Sequence, residues 1–207
     1  MKLISDFFIL PLKKGSIFFL SILLLSSSCV MIYKKVKKVK NPKLETMETI
    51  YSFLQKDNYD TSKLIVLKDF NSFKEFVKVE NSVPNALFFN NKGQFIEYRK
   101  SIEDCNAKIS DFIIEIQSIN DSTNFSALQL SELIPLFEKD INTNEINVLI
   151  TWAIWMGKIN KEKSFEWIKL IKEAQQKGVK INYYLLNCDI LESWEGDFDD
   201  LKKTKMK

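Results

Sequence analysis

Between Ile146 and Leu186 the chain reads strand, helix, strand, and this order restricts the fold more than any other stretch. Ile146 to Ile150 is a strand-forming run, and Val179 to Leu186 is another. Between them, Lys161 to Lys177 sets Phe165, Ile168, Ile171 and Ala174 on one helical stripe, with Gly178 as the stop. A βαβ unit of this kind belongs to an α/β protein, with the helix laid on one face of a sheet.

The region before it supplies a second set of elements. Leu44, Met47, Ile50, Tyr51 and Leu54 recur at three- and four-residue steps and predict a helix from Lys43 to about Gln55. Leu64 to Leu67 predicts a strand, and Phe73, Phe76 and Val77 predict a helix over Asp69 to Lys78. After Val83-Pro84-Asn85, the run Ala86 to Phe89 predicts a strand. Asn90-Asn91-Lys92-Gly93 is a turn, and Gln94 to Arg99 alternates as the returning strand. A further helix is expected from Ile102 to about Gln117, with Ile109, Phe112, Ile113 and Ile116 on its stripe. Gln117 to Asn124 is polar and reads as the main linker, Ser131 to Lys139 as a short helix capped by Ser131, and Asn142 to Asn147 as a second polar break. Neither half alone buries enough surface to stand, which favours one shared sheet over two truncated repeats packed together.

The segment joining the strand to the helix is Trp152-Ala153-Ile154-Trp155-Met156-Gly157-Lys158-Ile159. It resembles the W-A-x-W-C-x-x-C loop of the membrane-tethered thiol–disulfide oxidoreductase branch of the thioredoxin-like superfamily. Met156 and Ile159 stand where that family has its two cysteines. Val83 to Gln94 resembles the family's loop proline, hairpin and turn glycine. The resemblance covers roughly residues 60–195, with the family's C-terminal half first. It implies a thioredoxin-like three-layer α/β/α domain with a mixed sheet, circularly permuted or otherwise rearranged, and a cis Pro84 facing the loop. Without the resemblance, Pro84 reads as a residue that starts a strand. Trp152 and Trp155 have two open readings: a surface that meets a partner, or buried packing. Met156 reads as an apolar filler of the old sulfur site. Lys158, beside a helix start, has no evident chemical use.

Composition excludes much else. The chain has 207 residues, 45% apolar, and a net charge of +3. Five lysines between Lys34 and Lys40 exceed that charge, so the remainder offers no electrostatic case for nucleic acid. The absence of histidine removes histidine-based triads, histidine acid–base chemistry and histidine zinc sites. Cys29, Cys105 and Cys188 are too scattered for a C-x-x-C pair, and the five glycines form no phosphate loop. No metal or cofactor is expected. Glu192, Glu195, Asp197, Asp199 and Asp200 lack the spacing of a calcium loop and read as a solvated tail. Cys105 before a helix and Cys188 at a strand end read first as buried thiols, and secondly as single redox cysteines.

The N-terminus reads as an address. Lys13-Lys14, the apolar run Ile17 to Leu25 and Ser26-Ser27-Ser28-Cys29 resemble a bacterial lipoprotein signal, with Cys29 acylated after cleavage. Ile17 to Tyr33 also fits an uncleaved anchor at the short limit of about 17–25 residues, and a plain cleaved signal is the third reading. The lipoprotein reading puts the domain on the periplasmic or outer face of an envelope. An uncleaved anchor, by its flanking lysines, puts it in the cytoplasm. Lys34 to Lys40 then serves either as a polybasic tether to anionic headgroups or as a solubilising spacer.

The expected organisation is a signal or anchor over 1–33, a basic tether over 34–43, a thioredoxin-like domain over 44–195 and a charged tail over 196–207. The expected function is a membrane-tethered, non-catalytic binding or accessory module that holds a protein or peptide around Trp155, Met156 and Pro84. Two readings stand beside it: a thiol–disulfide oxidoreductase or redox partner using Cys105 or Cys188, and a structural subunit of a larger complex.

Overall fold

A computed structural model describes residues 34–98, 108–115, 125–143 and 145–194. It divides into two units, Met1–Lys38 and Val39–Lys207. In the first, residues 34–37 are helical and Lys38 takes a positive φ of 55°. Cys29, Cys105, the apolar run before Tyr33, the linker to Asn124 and the tail beyond Trp194 lie outside the described residues. Among those described, no helix is long and apolar enough to cross a membrane.

The second unit is α/β. β1 (Leu44–Glu45) pairs in parallel with β8 (Ile190–Leu191) in a two-stranded sheet. The main sheet holds β2 (Leu64–Ile65), β3 (Asn85–Phe89), β4 (Gln94–Ile96), β5 (Phe125–Gln129), β6 (Ile146–Trp152) and β7 (Ile181–Asn187). Their order is β2-β7-β6-β3-β4-β5. β2, β7 and β6 are parallel, and β3, β4 and β5 each run antiparallel to the neighbour before them. Both halves of the chain thus share one sheet. All five residues of β3 and six of the seven in β6 are buried. Successive side chains point to opposite faces, so both faces of the sheet centre are covered.

The helices are α1 (Met47–Lys56), α2 (Phe70–Val79), α3 (Ile109–Glu115), α4 (Leu130–Leu133), α5 (Lys158–Glu162) and α6 (Ser164–Gln176). α3 packs beside α6, and its Phe112 meets Phe88 of β3 at 4.4 Å between ring centroids. Phe165 and Ile171 of α6, with Phe88 and Leu149 of the sheet, are among the most buried side chains of the core.

Several expected boundaries move, each for a local reason. The first helix begins at Met47 rather than Lys43, because Thr46 caps it. Thr46 Oγ1 accepts from Thr49 N, Thr49 Oγ1 accepts from Thr46 N, and Leu44–Glu45 pairs as strand instead. Asp69 is the cap of α2 and not its first turn, with its carboxylate accepting from Ser72 N at 2.7 Å. Ser131 does not cap the next helix. That role falls to Gln129, whose backbone N–H is met by Glu132, and a 3₁₀ turn at Ile134–Leu136 carries Pro135. The strand expected over Gln94 to Arg99 is described only as Gln94–Ile96, and the helix from Ile102 only from Ile109. The long helix after the loop is two helices broken at Lys163. β1, β5 and β8 were not expected.

Candidate functional site

The two parallel strands β6 and β7 end together, and the antiparallel β3 begins at the same edge. Trp152 lies in register with Asn187, and Thr151 with Asn85. The carboxyl ends of parallel strands, where the chain direction of the sheet changes, are where α/β folds place their sites. Here the edge gathers the Trp152–Ile159 loop, Pro84, Cys188 and Asp189. Thr151 ties the proline segment down: its Oγ1 accepts from Asn85 N at 2.7 Å and donates towards Ser82 O at 3.2 Å. The Val83–Pro84 peptide is cis, and Pro84 is half-buried.

The two tryptophans part company. Trp152 is fully buried, stacked on Phe53 at 5.4 Å and tilted against Phe165 at 5.7 Å, so its role is packing. Trp155 is partly exposed on the 3₁₀ turn Ile154–Met156, and its carbonyl accepts from Lys40 N at 2.8 Å. Met156 is buried at 9% exposure. Gly157 closes the turn at φ 57°, a left-handed region open to glycine without a Cβ penalty. Lys158 is exposed and Ile159 half-buried at the start of the five-residue α5.

What holds this loop in place was not expected from the sequence. Asn160 is completely buried, donates its amide to Ala153 O at 2.7 Å and accepts from Ala153 N at 3.4 Å. Ser164 Oγ donates to Thr151 O at 3.0 Å. From the other side, Asp189 Oδ2 accepts from Ile154 N at 2.7 Å and from Asn187 Nδ2 at 2.8 Å. Asp189 is 2% exposed, and its Oδ1 has no hydrogen-bond partner among the described residues. Burial pushes its carboxyl up to about 6, against the lowering effect of the Ile154 and Asn187 bonds, and the charge of Glu45 adds to the rise. A polar residue just inside a helix start, and an aspartate just past a strand end, are signals that could have marked both residues.

Cys188 sits beneath the loop, its N–H donated to Trp152 O at 2.8 Å. It is a free, buried thiol, and burial first and the Asp189 charge second raise its pKa well above the ordinary cysteine range. A reactive thiolate needs exposure and a lowered pKa, and this thiol has neither. Among the described residues no group of histidine, cysteine or carboxylate side chains is placed to hold a metal.

Beside the loop, a cleft of about 480 Å³ opens between Trp155, the segment Lys40 to Glu45 and the outer face of α1. Phe53, Ile154 and Trp155 supply its apolar lining. Thr49 and Ser52 supply hydroxyls, and Lys40, Lys43, Lys56, Glu45 and Glu48 supply charge. Glu45 is buried, with Oε1 3.4 Å from Lys43 Nζ and Oε2 accepting from Thr49 Oγ1 at 2.8 Å. Neither Met156 nor Pro84 lines this cleft, so of the three residues expected to form one groove only Trp155 borders it. No family model matches the chain, and no curated protein or solved structure matches it.

Proposed function

We propose that this chain is a membrane-tethered, thioredoxin-like protein without the dithiol, working in the cell envelope as a non-catalytic module that holds a polypeptide beside Trp155. The tether rests on the N-terminal signal pattern and the lysine run that follows it. The thioredoxin-like reading rests on the loop residues Trp152 to Ile159 and on the parallel β6–helix–β7 unit with an antiparallel strand beginning just after Pro84. Chemistry through the old sulfur positions is closed. A thioether at Met156 cannot ionise and an aliphatic chain at Ile159 cannot resolve a disulfide.

One observation carries the binding reading: the loop retains a partly exposed aromatic, Trp155, as the wall of an apolar-lined cleft, while its sister Trp152 is spent on the core. Concave sites with aromatic lining and a few polar groups are where proteins take up ligands. The test is a titration of the protein with a panel of extended peptides, read by the Trp155 indole resonance. Binding that moves this signal, and that Trp155→Ala abolishes without lowering the melting temperature, is the expected result. Disulfide reductase activity that disappears in Cys105→Ser or Cys188→Ser, with no peptide moving Trp155, would establish the redox reading instead.

A further inference from the structure

The charges around the cleft do not cancel, and they say what kind of polypeptide it takes. Lys43 and Glu45 neutralise each other across 3.4 Å, and Thr49 takes the second oxygen of Glu45. That leaves Lys40, Lys56 and Glu48 lining the cleft, none with an ion pair among the described residues. Two cations against one carboxylate make the unpaired charge positive. On α1, Glu48, Ser52 and Lys56 recur every four residues and so form one stripe, with Phe53 beside it. Apolar lining and one unpaired cation, Lys56, therefore meet along one helix face, and Lys40 on the segment before β1 adds the second.

We infer that the occupant of this cleft is an acidic, extended polypeptide segment. It would set an apolar or aromatic side chain against Trp155 and Phe53, with flanking carboxylates meeting Lys40 and Lys56. This rests on the peptide-binding reading above and narrows it to a chemical class. Charge complementarity at partly exposed positions sets partner choice more than total affinity, and salt screens it within about 8 Å at physiological ionic strength.

The experiment uses the full chain in detergent and three fluorescein-labelled ten-residue peptides alike in their central Phe-Leu. The first is flanked by glutamates, the second by glutamines and the third by lysines. The acidic peptide is expected to bind about fivefold or more tighter than the glutamine one, the size two exposed ion pairs provide. Raising the salt to 0.5 M should erase the difference. Lys40→Gln with Lys56→Gln should shrink the acidic-to-neutral ratio towards one, whereas Lys180→Gln, exposed just before β7 and far along the sequence, should leave the ratio unchanged. Equal affinity for the acidic and glutamine peptides, still lost in Trp155→Ala, overturns the acidic occupant but leaves the peptide-binding reading standing. Preference for the lysine peptide overturns it in the same way. No binding of any peptide defeats both readings together. Vesicles of three parts phosphatidylcholine to one part phosphatidylglycerol form the last arm. If they displace the acidic peptide, and their own binding needs Lys40 and Lys56 but not Trp155, the cations serve headgroups and the inference fails.

Discussion

Asp189 is the residue whose placement has the clearest consequence for pH. In the unfolded chain its carboxyl has a pKa near 3.9, and in the fold burial raises it to about 6. The folded state therefore holds this proton more tightly. The group's contribution is most favourable below about pH 4, declines as the pH climbs to about 6, and is lost above it. A gap of about two units corresponds to roughly 2–3 kcal/mol across the window. Asp189→Asn removes the charge while leaving a carbonyl oxygen for Ile154 N–H. Urea midpoints between pH 4 and 7 should fall for the parent and stay level in this variant, as far as this group is concerned. An identical slope in both would show that Asp189 does not titrate there. Its place just past a strand end sets this aspartate apart from those of the tail, but nothing local marks it as buried. Its burial depends on β8 folding back against β1, and contacts between residues that far apart have no local signature.

At the scale of elements, the loop and its flanking strand and helix were the most legible part of the chain. β6 and β7 occupy nearly the expected spans because runs such as Val148-Leu149-Ile150 are too apolar to lie anywhere but the sheet centre. The division between the two tryptophans was not legible, since it is set by a helix far earlier in the chain. The deciding contact is Phe53, which α1 brings onto Trp152. Truncating Trp152 to alanine should cost about 3–5 kcal/mol, as for other buried aromatics. Its indole Nε1 is buried with no partner among the described residues, so part of the indole's burial is unfavourable. Trp152→Phe keeps a ring against Phe53 and removes that donor, and should lose about half as much or less. Chemical denaturation of the two variants separates these outcomes; equal losses would mean that the unpartnered N–H carries no cost. The break between α5 and α6 was hidden because the apolar stripe begins only at Phe165, beyond it. A single distorted residue, Lys163, changes no side-chain pattern.

For the whole molecule, the second unit begins at Val39, ahead of the strand and cap that open the domain. A chain starting at Val39 should therefore melt with the same midpoint as the longer one. A chain starting at Met47 should melt lower, since it loses β1, the buried Glu45 and the Thr46 cap, the cap alone being worth about 1 kcal/mol. Equal midpoints for both truncations would show that β1 adds nothing to stability. The sequence by itself determined the α/β class, the βαβ unit, the apolar stripes of its helices and the absence of cysteine from the Trp152–Ile159 loop, because periodicity and residue chemistry are local properties. Only the tertiary structure decided that β6 and β7 insert between β2 and β3, giving the order β2-β7-β6-β3-β4-β5. The same holds for the two-residue strands β1 and β8, which are too short to show any alternation of their own. They exist because each supplies hydrogen bonds to the other, across more than 140 residues of chain. The cleft follows from that pairing, since it is β1 and its approach from Lys40 that wall in Trp155.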